Sequence, residues 1–157
     1  MAIRWDRLTV KAQEAMQRAS ELASEHGNSE VVPLHLLAAL LEDREGIVVP
    51  LLARAGAQAA ALHAQVQREI GGLPKLAKAA AQPSLADATT ELLDLAFKAA
   101  ADFKDEYVST EHLLLGLIGL KGDSAQKLLS GLGVTHDTLL KALTAVRGNQ
   151  TVTDQNP

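Results

Sequence analysis

The chain contains no cysteine, so it holds no disulfide, thiolate metal ligand or thiol nucleophile. Aromatic residues make up only 3% of it, too few to build a platform on which bases stack. It carries no excess of positive charge: the formal net charge is −4, which argues against binding a phosphate backbone. No stretch approaches 18 consecutive uncharged apolar residues, so nothing is expected to span a membrane. The opening Met1 to Leu8 is charged and has no apolar core segment, so no secretory signal is expected, and a cytoplasmic location is. No G-x-x-x-x-G-K-[ST] occurs; Gly122, for example, is followed by Asp123. Without that phosphate cradle and its lysine, the chain is expected neither to bind nor to hydrolyse ATP, and to be no enzyme.

What is abundant is alanine and leucine, a helical composition, in a chain that matches itself. Shifted by 77 positions, residues 8–71 fall on residues 85–148 without a gap. Val31, His35, Leu36, Leu37 and Leu40 land on Val108, His112, Leu113, Leu114 and Leu117. Leu51, Leu52, Gly56, Leu62 and Gly71 land on Leu128, Leu129, Gly133, Leu139 and Gly148. Matches spread over a whole unit indicate a duplicated supersecondary unit.

In the first copy Leu8, Ala12, Ala15, Met16, Ala19, Leu22 and Ala23 keep the three-and-four spacing of one helix face. Thr9 is placed to cap this helix and Gly27-Asn28 to end it. Pro33 opens a second helix over Leu34–Leu41, where its missing N–H costs nothing. A short third helix has Pro50 near its start, and a fourth runs from Ala57 to Ile70. The second copy predicts helices over about 85–103, 109–120, 123–131 and 135–147. Ser84-Leu85-Ala86-Asp87 approximates a capping box for the first of these. No strand pattern appears.

The expectation is therefore an all-α fold of about eight helices. Two four-helix repeats related by a pseudo-twofold pack into one globular domain, because each short unit alone buries too little. The boundaries expected are 1–71 and 84–148 for the repeats, 72–83 for their linker, and 149–157 for a flexible polar tail.

Asp6-Arg7-Leu8-Thr9, Lys11 to Ala15 and Pro33 to Leu41 together resemble the first Clp repeat, and Val108 to Leu115 resembles the second. The stretch from Val146 to Pro157 is similar to the junction that follows the amino-terminal domain in the ClpB type. The resemblance implies the amino-terminal domain of a ring-forming AAA+ disaggregase that works with the DnaK chaperone system. It implies a homohexameric parent using ATP and magnesium elsewhere, and an isolated domain that is monomeric. The partners implied are unfolded or aggregated protein segments. The alternative is an adaptor-docking domain of the ClpA or ClpC type, feeding a protease. An independent helical enzyme finds no nucleophile–base pair or metal cluster to support it.

In the ClpB type, residues matching Thr9, Asp105 and Glu111 are associated with substrate handling. Thr9 competes for the role of helix cap, and Glu111 for that of a first-turn charge favouring the helix dipole. His35 and His112 occupy equivalent positions, so one repeated structural role explains them more simply than metal ligation. Comparing the copies singles out residues that a shared core does not require: Arg18 becomes Leu95, Ser20 becomes Phe97, Glu30 becomes Tyr107 and Asp43 becomes Leu120. Two readings stand. Either Leu95 and Tyr107 build an apolar groove with Asp105 and Glu111 on its rim, or these side chains bury against the opposite repeat or the linker.

Overall fold

The computed structural model describes residues 3–76, 82–148 and 150–156. Thr9 begins α1 (Val10–Glu25), its hydroxyl oxygen accepting the Ala12 N–H at 3.1 Å. Then follow α2 (Pro33–Glu42), α3 (Val48–Arg54) and α4 (Ala59–Gly71). The second copy repeats them as α5 (Asp87–Asp102), α6 (Thr110–Gly119), α7 (Ser124–Gly131) and α8 (His136–Arg147). The fold is all-α, with every expected helix present.

Two short strands were not expected. Glu30–Val31 (β1) pairs in parallel with Ser84–Leu85 (β2). Leu8 and Val108 form an isolated bridge of the same kind. Leu85 lies 77 positions after Leu8, and Val108 lies 77 after Val31, so one pairing is made twice between the halves. Hydrogen bonds repeat with it: Ala86 N–H to the Val31 carbonyl at 3.1 Å, and Thr9 N–H to the Val108 carbonyl at 2.9 Å. This reciprocity is the pseudo-twofold. It also corrects the capping box expected at Ser84. That residue is spent in β2, and Ala86, the counterpart of Thr9, caps α5 with no side-chain acceptor.

The centre of the molecule is α2 and α6. All residues from Pro33 to Leu41 and from Thr110 to Ile118 are buried, as in helices surrounded by protein. Helix α1 covers α2, and α5 covers α6; α3 packs on α8 and α4 on α7 across the halves. One apolar core runs through both copies. The α5–α6 contact is backbone-close: a Cβ at Gly116 would stand 2.6 Å from the Leu92 carbonyl oxygen. Beyond α1 and α5 the chain needs a left-handed residue. Gly27 supplies it at φ 70°, while its counterpart Lys104 holds φ 60° at a steric cost of about 1–2 kcal/mol.

The expected linker at 72–83 and tail at 149–157 behave differently from loose connectors where they are described; residues 77–81, 149 and 157 lie outside the described residues. Leu76 N–H reaches the Gly27 carbonyl at 2.8 Å. Residues 150–156 lie along the body as a strap, which corrects the flexible tail. Val152 is buried, its N–H meets Asp105 Oδ1 at 2.8 Å, and its carbonyl accepts the Glu106 N–H at 2.7 Å. The Gln155 carbonyl accepts the Val10 N–H at 2.9 Å. Burying one valine contributes about 1.5–3 kcal/mol, whereas ordering backbone costs about 1–2 kcal/mol per residue. The strap therefore depends on its hydrogen bonds and is held shallowly.

Candidate functional site

Equivalent helix pairs present different surfaces. Between α1 and α2 lies a cavity of about 300 Å³, floored by Ala15, Ala39, Leu40 and Val48. Its rim is ionic: Arg18 Nε meets Glu42 Oε1 at 2.9 Å, Arg18 Nη1 meets Glu25 Oε1 at 3.0 Å, and Lys11 meets Asp43 at 3.5 Å. At the matching place in the second copy, Leu95 stands for Arg18, Gly119 for Glu42 and Leu120 for Asp43. Leu120 is buried, but Leu95 is only half-buried. Its Cδ1 lies 3.1 Å from where a Gly119 Cβ would be, so the missing side chain leaves the leucine uncovered. Ala99 and Phe103 follow at one-turn and two-turn spacing and are half-buried too, giving α5 an apolar row along one edge. Phe97 is likewise half-buried against the core.

The acidic residues expected on the groove's rim are elsewhere. Leu95 faces the C-terminal end of α6, whereas Asp105, Tyr107 and Glu111 gather at its N-terminal end, about 12 Å along the axis. Tyr107 is half-buried, with the Arg7 guanidinium 5.9 Å from its ring centre. Thr9 is fully buried as the cap of α1. The Asp105 side chain is fully buried and that of Glu111 is 7% exposed, so neither forms an open rim.

They belong instead to an internal charge node. The His112 Nδ1 accepts the Ser109 N–H at 2.8 Å, which leaves the proton on Nε2, and that N–H donates to Asp105 Oδ2 at 2.7 Å. Arg147 Nη2 donates to Asp105 Oδ1 at 2.6 Å and to the Gln150 carbonyl at 2.9 Å. Glu111 accepts the Ser109 hydroxyl and lies 3.8 Å from Arg147 Nη1, which has no hydrogen-bond partner among the described residues. Burial would raise the Asp105 pKa, but Arg147, the Val152 N–H and His112 outweigh it and hold the carboxyl below its ordinary value. Burial lowers the pKa of His112, against the opposing pull of Glu111 and Asp105. The Ser109 N–H aimed at Nδ1 acts in the same direction.

The first copy contains the neutral version of this node. His35 Nδ1 accepts the Val32 N–H at 2.9 Å, and its Nε2–H donates to Asn28 Oδ1 at 2.8 Å. Asn28 precedes Asp105 by 77 positions, and its Nδ2 donates to the Pro74 carbonyl at 3.1 Å. Both histidines thus spend both ring nitrogens bracing the start of a central helix, the single repeated role expected of them. Burial takes the His35 pKa down to about 4, with a smaller contribution from His26. Sequence reading missed Arg147, Gly119 and Val152. The first is hidden by a separation of 42 residues from Asp105. Gly119 was within reach, since the same shift places it on Glu42.

The sequence and fold match known proteins. The description of the Clp repeat (R) N-terminal domain fits residues 7–132. The chaperone protein ClpB of Mycobacterium bovis is 40% identical over 149 residues, which are 95% of this chain and 18% of that protein. The ClpB of Rhodopirellula baltica is 39% identical over 156 residues, 99% of this chain and again 18% of the relative. The chain therefore spans less than a fifth of these relatives. The Hsp104 N-terminal domain from Candida albicans superposes with a TM-score of 0.82 at 26% identity, covering 94% of this chain and 96% of that one. A ClpV N-domain solved in complex with a VipB peptide shares the fold at a TM-score of 0.71 and 19% identity, over 95% and 92% of the two chains. The chain belongs to the Clp repeat N-terminal domain family.

Proposed function

We propose that this domain captures exposed apolar segments of misfolded or aggregated protein on behalf of a ClpB-type, ATP-driven chaperone. Such a parent would be a cytoplasmic hexamer acting with the DnaK system, with ATP and magnesium handled outside this chain. The observation that carries the reading is the exchange of the Arg18–Glu42 ion pair for Leu95 and Gly119. A shared core explains neither the leucine nor its lack of cover. A shallow row of this kind binds weakly, on the order of tens of µM, since it must offset the ordering of a flexible client. Several tethered copies raise the effective engagement with no new contact.

Leu95→Gln tests it. Fluorescence anisotropy with a labelled, permanently unfolded polypeptide should show several-fold weaker binding, while helicity and melting temperature stay put. Unchanged affinity would remove Leu95 from the client face. Tyr107→Ala, in contact with Arg7 rather than with the row, should have the smaller effect.

A further inference from the structure

The strap at 150–156 is an irregular segment, bent at Gln155, that is bound to the domain's own surface, and most of what holds it is main chain. The Glu106 N–H takes the Val152 carbonyl, the Val10 N–H takes the Gln155 carbonyl, and the Asp105 carboxylate takes the Val152 N–H. Any polypeptide that takes the same course, with its bend at the Gln155 position, offers the same groups. Two side chains add to this: Val152 is buried, and Gln155 Nε2 donates to the Leu8 and Asp6 carbonyls at 3.1 and 3.2 Å. Thr151, Thr153, Asp154 and Asn156 are exposed.

The cradle itself is prepared independently of the strap's sequence. Val10 is the first residue of α1, so its N–H has no acceptor within the helix and is free for an outside carbonyl. Asp105 is fixed by His112 and Arg147. The first copy has no such acceptor, because Asn28 turns an amide donor toward the Pro74 carbonyl. The cradle also begins where the apolar row ends: Phe103 lines a cavity of about 170 Å³ together with Gln150 and Thr151 of the strap.

We propose that residues 150–156 are an intramolecular stand-in occupying a binding site for a polypeptide segment that follows the strap's course, with a Val-sized aliphatic side chain in the Val152 position. A client segment that runs off the row takes the strap's place. This rests on the client-capture reading and adds a second half to that site, recognised through backbone rather than through apolar surface.

The test uses the whole chain and fluorescein-labelled, reduced and carboxymethylated α-lactalbumin as the unfolded probe. Val152→Asp loosens the strap and leaves the cradle intact; amide exchange should show Glu106 losing protection while α1, α2, α5 and α6 keep theirs. Its affinity for the probe should rise at least threefold. Adding Val10→Pro removes one cradle donor at a helix position that accepts proline, and should reverse that gain. If Val152→Asp perturbs helicity, Gln155→Ala releases the strap by its side-chain contacts and takes its place. A released strap with unchanged or weaker probe binding overturns the inference and leaves a Leu95-dependent site standing. Failure of every form, wild type included, to bind the probe overturns client capture and this inference together.

Discussion

Asp105→Asn is the sharpest perturbation of the internal node, because the first copy shows what an asparagine does there. At position 28 the amide satisfies His35 with its oxygen and a carbonyl with its nitrogen. At position 105 the carboxylate meets three donors: the His112 Nε2–H at 2.7 Å, Arg147 Nη2 at 2.6 Å and the Val152 N–H at 2.8 Å. An asparagine there points its NH₂ at a donor whichever way the amide is turned. It also leaves Arg147, 9% exposed, without its closest anion. Removing one partner of a buried ion pair costs about 3–5 kcal/mol. Glu111, 3.8 Å from the same guanidinium, recovers part of that, so about 3 kcal/mol is expected. For a chain of this length that lowers the melting temperature by roughly 6–12 °C, and it frees the strap. Thermal and urea unfolding followed by circular dichroism measure the loss, and combining it with Arg147→Met should restore part of it. A loss under about 0.5 kcal/mol would refute the node as a structural hub.

The buried histidines set a pH dependence. The unfolded chain protonates His35 near 6.5, and the folded chain only near 4, so stability should fall as pH drops through that window. The contribution of His35 is about 3 kcal/mol at its full extent, with His112 adding in the same direction, while Asp105, held low, stays ionised throughout. A urea midpoint that stays flat between pH 7 and 5 contradicts it. Gly116→Ala should destabilise by about 1–3 kcal/mol despite the better helix propensity of alanine, since its Cβ meets the Leu92 carbonyl. A more stable variant would show that α5 has room to withdraw.

Helices were legible because their signals are local: the three-and-four spacing of α1, the Thr9 cap and the proline opening α2 each act within a few residues. The duplication revealed Leu95 for a related reason, as the two copies provide their own reference state. What escaped was non-local or lay in the backbone. Asp105 and Glu111 read as surface charges until Arg147 and the Ser109 hydroxyl close over them. Thr151 to Asn156 read as a loose tail because its contacts are made by amides and carbonyls, which no side-chain pattern reports. The two-residue strands are invisible for the same reason. Ser84, a plausible cap by residue type, is claimed by pairing with Ser29 and Glu30 in the other half.

Grafting the first copy's ion pair onto the second is the most direct measurement. In Leu95→Arg with Gly119→Glu, the pair occupies the place that Arg18 and Glu42 hold 77 positions earlier. It should contribute only about 0–1 kcal/mol to stability, as a partly exposed pair does, so melting should barely change. Affinity for an unfolded polypeptide should fall at least about tenfold, or 1.4 kcal/mol. Full affinity with that ion pair in place would show that clients bind somewhere other than the row headed by Leu95.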